Sequence, residues 1–144
     1  MISWIRALAS VALVAALSAP AAVEATTATY HDYGSVKPEQ TFCNIQFKSP
    51  ALITAYANLG SDLKCGDCVE VTNTRTKAKV VVKVVDKGGN VFDLSIRAFN
   101  AIDTDKNGYA RGHMDITYRK VKCSRRLEEN VVPGFRGADE EAAN

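Results

Sequence analysis

Apolar and polar positions along this chain alternate, or gather into short β-branched blocks, in four places: "TATYHDY", "CVEVTN", "AKVVVKVV" and "MDITYRKV". Period-two alternation and Val-rich blocks of this length are the pattern of strands, and the turn-rich segments "NLGSDLKCGD" and "TDKNGYARG" separate them. Two stretches have helical spacing instead. One is weak, in "SPALITAYANL"; the other follows Asp93, where Leu94, Ala98, Phe99 and Ile102 fall on one face. The pattern predicts a mainly β domain with one or two short helices. Short strands with so few helices suit a small closed barrel better than a sandwich of regular hairpins.

The two ends of the chain depart from that pattern. Arg6 precedes a mostly apolar run from Ala7 to Leu17, and the small residues Val23 and Ala25 follow as a cleavage site requires. Residues 1–25 therefore read as a secretory signal peptide, and the mature protein is expected to be soluble, extracellular and to start near Thr26. The apolar run is shorter than the roughly 20 residues a membrane span needs, so no membrane association is expected. Residues 26–123 are long enough for one compact domain. From Ser124 onward the sequence is rich in acids and lacks periodicity, which predicts a disordered tail over residues 124–144.

Charge narrows the partners only slightly. Residues 26–123 carry 14 Lys and Arg against 10 Asp and Glu, a mild basic excess compatible with acidic polysaccharide but equally with ordinary solvated surface. Basic clusters interleaved with aromatics are missing, so nucleic acid is not an expected partner. Cys43, Cys65, Cys68 and Cys123 make two disulfides the default in an exported chain. Three connectivities are open at this point, and a Cys68 to Cys123 bridge would close a long loop.

Candidate chemistry concentrates in Val82 to Phe99, "VKVVDKGGNVFDLSIRAF", where a β-branched run, a Gly-rich loop and a helical pattern place Asp86 and Asp93 at the two ends of one loop. Two carboxylates that converge are what acid and base work on a glycosidic bond needs, at roughly 6.5 to 9.5 Å apart in inverting enzymes. The bland alternative has Asp93 capping a helix start, with Ser95 sharing that role. Asp32 lies beside Thr29, Tyr30, His31 and Tyr33, a cluster suited either to hydrogen-bond and stack on a sugar ring or to a plain N-terminal strand.

Three further motifs read as structural. "CGDC" at Cys65 to Cys68 lacks the following helix that activates a redox thiol, since the strand-like "VEVTN" comes next. "DTDKNG" at Asp103 to Gly108 matches the first positions of a calcium-binding EF-hand loop, but position twelve falls on Met114 and a strand follows. His31 and His113 are isolated and are assigned no catalytic role. No metal and no cofactor is expected.

Taken in order, "TATY" at Thr27 to Tyr30, "KCGDCVEV", "FDLS" at Phe92 to Ser95 and "ITYRKVKC" at Ile116 to Cys123 resemble the successive motifs of the first domain of expansins. That family has a six-stranded double-psi β-barrel and is related to barwin, plant natriuretic peptides, bacterial RlpA and the family-forty-five endoglucanases. The resemblance implies the pairing Cys43 with Cys65 and Cys68 with Cys123. By position it implies that Asp93 is the acid matching the hydrolases' general acid and Asp86 the family's other strand-end Asp. Thr29 and Tyr30 then match the polysaccharide-facing residues of the first strand. Relative to bacterial expansins, the loop between Asp86 and Asp93 is shorter and lacks an aromatic after the first Asp. The function implied is a secreted, monomeric protein that binds or loosens cell-wall polysaccharide (cellulose, pectin or a related glycan) without hydrolysis. Two alternatives stand beside it. A host or wall protein is the partner if the barrel serves as a natriuretic-peptide-like signal or a protease inhibitor. A hydrolase is implied if Tyr30 and Asp32 complete the hydrolases' opening Thr-x-Tyr-x-Asp pattern, whose first place here falls on Ala28.

Overall fold

The computed structural model describes residues 22–48, 51–89, 91–125 and 127. Six strands form a double-psi β-barrel: β1 (Glu24–His31), β2 (Ile53–Tyr56), β3 (Cys68–Asn73), β4 (Lys79–Asp86), β5 (Phe92–Ser95) and β6 (Met114–Val121). The order around the closed sheet is β1-β5-β2-β4-β3-β6. β1 pairs with β5 and β2 with β4 in parallel; the other neighbours are antiparallel. Closure leaves no edge strand whose unpaired backbone would invite aggregation. Two short helices, α1 (Ile96–Ile102) and α2 (Asn107–Arg111), and a 3-10 turn at Pro38–Gln40 complete the described elements.

β3 and β6 occupy the segments their alternation predicts, and β4 is the Val-rich block. The weak helical reading of "SPALITAYANL" is overturned, because Ile53–Tyr56 is strand β2. All four of its residues are buried, with β4 on one side and β5 on the other. A strand covered on both faces shows no alternation, so its pattern does not separate it from a buried helix. The helix after Asp93 also starts later than its spacing suggests. Phe92–Ser95 is strand β5, and Ser95 alone caps α1, its hydroxyl accepting the Ala98 N–H at 3.3 Å. Asp93 is thereby left for other work.

Alternation sends Phe92, Leu94, Val82 and Val84 into the barrel, where they pack with Phe99 and Ile102 of α1. A second apolar cluster lies outside the sheet, built on Ile53, Val85, Tyr33 and Phe47. Leu127, 5% exposed, belongs to it, so packed structure reaches past Cys123. At the other end, Glu24 and Ala25 pair with Tyr118 and Thr117, which carries the β1 ladder two residues ahead of the expected mature start at Thr26. Residues 1–21 of the expected signal peptide, and most of the expected tail, lie outside the described residues. Cys43 is bonded to Cys65 and Cys68 to Cys123, the pairing the expansin resemblance implies. The second bond ties β3 to the end of β6.

One polar cluster sits against this core. The Tyr56 hydroxyl donates to Asp62 Oδ1 at 2.8 Å, the Tyr118 hydroxyl donates to Oδ2 at 2.9 Å, and Ser61 donates to Oδ1 at 2.6 Å. Partial burial favours the neutral acid, but these three donors together outweigh it and hold the Asp62 carboxyl down at about 2. A carboxyl depressed in the folded state stabilises the fold above its ordinary value near 4, and that contribution is lost as pH falls from there through about 2. Asp62→Asn should cost about 1–2 kcal/mol at pH 6, the scale of a few hydrogen bonds to a charged acceptor at an exposed site. Urea unfolding at pH 6 and pH 2 checks this: the variant's deficit should shrink at the lower pH, and an equal deficit at both would contradict it.

Candidate functional site

The two carboxylates named from sequence stand in one lateral row on the outer face of the barrel wall. In the parallel β1–β5 ladder Thr29 stands opposite Asp93, and in the antiparallel β2–β5 ladder Asp93 stands opposite Ala55. On the other side of β2, Ala55 is paired with Asp86. Thr29, Asp93, Ala55 and Asp86 thus form one row across four neighbouring strands. Laterally paired residues share a face, and the Asp93 and Asp86 backbones lie two strand spacings apart, about 10 Å.

Local irregularity is what aims Asp86. Ile53 pairs with Lys83 and Thr54 with Val84, but Ala55 pairs with Asp86, so β4 carries an extra residue at this point. Such a bulge shifts the pleat by one position and re-aims the following side chain, which plain alternation from Val82 and Val84 would have turned inward. Asp86 Oδ1 accepts backbone N–H bonds from Phe42 and Lys87, both at 2.8 Å. Those bonds bring Phe42 to the row. Phe42 is 67% exposed, with the Lys87 ammonium 5.7 Å from the centre of its ring. An exposed aromatic therefore stands beside Asp86 although the short Asp86–Asp93 loop has none of its own.

Asp93 is held from three sides. Thr29 donates its hydroxyl to Asp93 Oδ1 at 2.7 Å, and buried Thr54 donates to the Asp93 carbonyl at 3.1 Å. The Tyr33 hydroxyl also donates to that carbonyl, at 3.5 Å. On the fourth side lies Gly89, where an added Cβ would stand 2.7 Å from the Asp93 Cβ, and whose φ of +74° is one that side chains rarely adopt. A side chain at Gly89 would crowd the Asp93 carboxylate, and glycine avoids that. Tyr33 reports on both acids: burial raises its hydroxyl well above the ordinary phenol range, and the negative charges of Asp93 and then Asp86 push it further.

The remaining sequence candidates are placed elsewhere. Tyr30 is opposite Leu94 and follows Ala28 on the inward face, so it points away from Thr29 and packs on Phe99 and Tyr109. Asp32 lies beyond the end of β1, three residues from Thr29, or about 10 Å along an extended chain. It accepts the Gly34 N–H at 2.8 Å and helps line a concavity of about 260 Å³ with Tyr33, Ile53, Ser95 and Ile96. Of the residues near the row, Tyr33 and His31 belong to the aromatic cluster noted from sequence around Asp32, whereas Phe42 was not singled out. His31 shares the face of Thr29 by alternation, and Tyr33, just past the end of β1, meets it edge to face at 5.0 Å. Phe42 had no such signal, because a contact 44 residues distant brings it there.

Among the described residues no cluster of three or more His, Cys, Asp or Glu is arranged to hold a metal ion. In the EF-hand-like segment both Asp103 oxygens accept N–H bonds, from Gly108 and Tyr109, while Asp105 is paired with Arg75 at 2.6 Å. What the row offers is two carboxylates as acceptors, one hydroxyl, one ammonium and one exposed ring along an open wall.

The Barwin family model matches residues 21–123. Among solved structures, cerato-platanin 3 from M. perniciosa is similar with a TM-score of 0.57 and 19% identity, over 69% of this chain and 95% of that one. The fungal elicitor Cerato-Platanin aligns with a TM-score of 0.50 and 17% identity, over 74% and 97% of the two chains. A point mutant of Clavibacter michiganensis expansin, solved in complex with cellohexaose, aligns with a TM-score of 0.51 and 21% identity, over 70% of this chain and 51% of that one. At these identities the structures share the barrel fold.

Proposed function

The chain belongs to the Barwin family, and from that premise we propose that it is a secreted, expansin-like protein that binds or loosens cell-wall polysaccharide without hydrolysing it. The row Thr29–Asp93–Asp86 carries the reading, because it sets carboxylate acceptors beside the exposed Phe42 ring. Sugar hydroxyls donate to carboxylates, and the apolar faces of pyranose rings lie on aromatic faces. Two disulfides suit an oxidising, extracellular compartment. The cellohexaose bound by the expansin neighbour supports a β-linked glucan as the ligand class.

The place of the hydrolases' base supports the non-hydrolytic reading. Asp32, which a hydrolase would use as its base, is turned to the Gly34 N–H beyond the end of β1. Sedimentation with cellulose, chitin and pectin, run beside a reducing-sugar assay, tests the reading. Retention on at least one polymer with no sugar release is expected. Released sugar would establish the hydrolase instead, and no retention on any polymer would leave the interaction protein, for which protease inhibition is the first assay.

A further inference from the structure

Tyr109 is an exposed aromatic that the protein holds with unusual care. The residue is 56% exposed, yet the inner face of its ring is stacked on Tyr30 at 5.1 Å with 14° between planes, and Tyr30 leans on buried Phe99 at 4.8 Å. The backbone beneath is equally constrained. Asp103, 4% exposed, receives the Gly108 and Tyr109 N–H groups on its two oxygens, at 2.8 and 2.7 Å. Gly108 packs so closely that an added Cβ would meet Asp103 Oδ1 at 2.9 Å and Phe99 at 3.1 Å. Apart from Tyr30, the Tyr109 ring meets no other ring among the described residues.

Tyr109 also lines a concavity of about 430 Å³ with Asn100 of α1, Asp103 and Lys106. Its chemistry is specific. A fixed ring face takes up the apolar C–H face of a pyranose, the Asn100 amide both donates and accepts, and the Lys106 ammonium donates. An open pocket with an aromatic base and a few polar groups at its sides is a small-ligand site in form.

We propose that Tyr109, backed by Tyr30 and flanked by Asn100 and Lys106, is a second glycan-contact site that takes one pyranose ring of a neutral polysaccharide. It lies on the other side of β1 from the carboxylate row, because Tyr30 and Thr29 are neighbours on a strand and face opposite ways. The inference shares with the proposed function only the class of ligand. Tyr30 then acts through Tyr109, as a positioning residue. Two separated contacts on one rigid barrel would let the protein engage two chains of a wall polymer, and multiply its retention on an insoluble surface.

Amide NMR titration of the secreted protein with cellohexaose, and separately with chitohexaose, reads the two sites independently. Shifts at residues 100–109 support the second site, and shifts at residues 86–93 support the carboxylate row. Shifts at the row alone overturn this inference and leave the proposed function standing. Shifts at 100–109 alone do the reverse, and no shifts with either sugar overturn both. Tyr109→Ala should weaken binding at 100–109 about five- to tenfold, the scale of one aromatic contact, while Tyr109→Phe keeps it. Equal binding by wild type and Tyr109→Ala would overturn the assignment. Asn100→Ala, on an exposed position, gives the same reading should Tyr109→Ala fail to fold.

Discussion

Asp93→Asn should leave the barrel folded and lower polysaccharide affinity, or wall-extension activity, by about ten- to a hundredfold. The substitution keeps the shape and an oxygen that can still accept the Thr29 hydroxyl, now 2.7 Å from Asp93 Oδ1. The Thr54 and Tyr33 bonds go to the backbone carbonyl and are untouched. What is removed is the carboxylate's negative charge and one of its two acceptor oxygens, to which sugar hydroxyls would donate. A hydrogen bond to a charged group contributes about 1.5–3 kcal/mol, and each 1.4 kcal/mol is tenfold in affinity. Circular dichroism and thermal unfolding establish that the variant is native, after which sedimentation on the preferred polymer gives the affinity. Wild-type retention by a folded Asp93→Asn protein would remove Asp93 from the mechanism.

Loss of the Cys68–Cys123 bond should have the largest effect on stability. The cysteines are 55 residues apart, and closing a loop of that length lowers the unfolded chain's entropy by an amount worth about 4 kcal/mol at 25 °C. Cys68 is also buried against Ile53 and Val85, so removing the bond disturbs the outer cluster as well. The Cys43–Cys65 loop spans 22 residues, for which the same relation gives about 3.4 kcal/mol. Urea unfolding of Cys68→Ser/Cys123→Ser and of Cys43→Ser/Cys65→Ser should therefore rank the two, with the first less stable. Against a total of about 5–15 kcal/mol for a domain, either loss is a large fraction. The opposite ranking would show that native strain or residual unfolded structure, and not loop entropy, decides the difference.

The carboxylate row lies on a wall whose face was only partly legible from sequence. Asp86 and Asp93 were visible as two acids around a Gly-rich loop, and Thr29 as a polar position on an alternating strand. Tyr30 was placed with them by resemblance to the expansin first strand, but alternation separates neighbours: Thr29 faces out to Asp93 while Tyr30 faces the α1 side of the barrel. Asp32 shared a motif with Tyr30 and yet lies past the end of β1, at a concavity that Tyr33 also lines. The late start of α1 follows the same logic, because β5 is fixed by pairing with both β1 and β2, and a helix cannot begin until that pairing ends at Ser95.

Local pattern by itself determined that the chain is mainly β, which segments become β3, β4 and β6, and that two acids flank one short loop. The family resemblance supplied the barrel type and the cysteine pairing. Those properties are local, or are carried by motif order, so they survive in a one-dimensional string. Tertiary structure alone decided that β2 is a strand and that a bulge opposite Ala55 turns Asp86 outward. It also brought Phe42 to the row and set Tyr109 on Tyr30. The physical reason is lateral register: side-chain period is written along a strand, but which strands become neighbours is fixed only when the barrel closes. In this protein both candidate sites depend on contacts across strands and between distant loops, and those contacts exist only in the folded barrel.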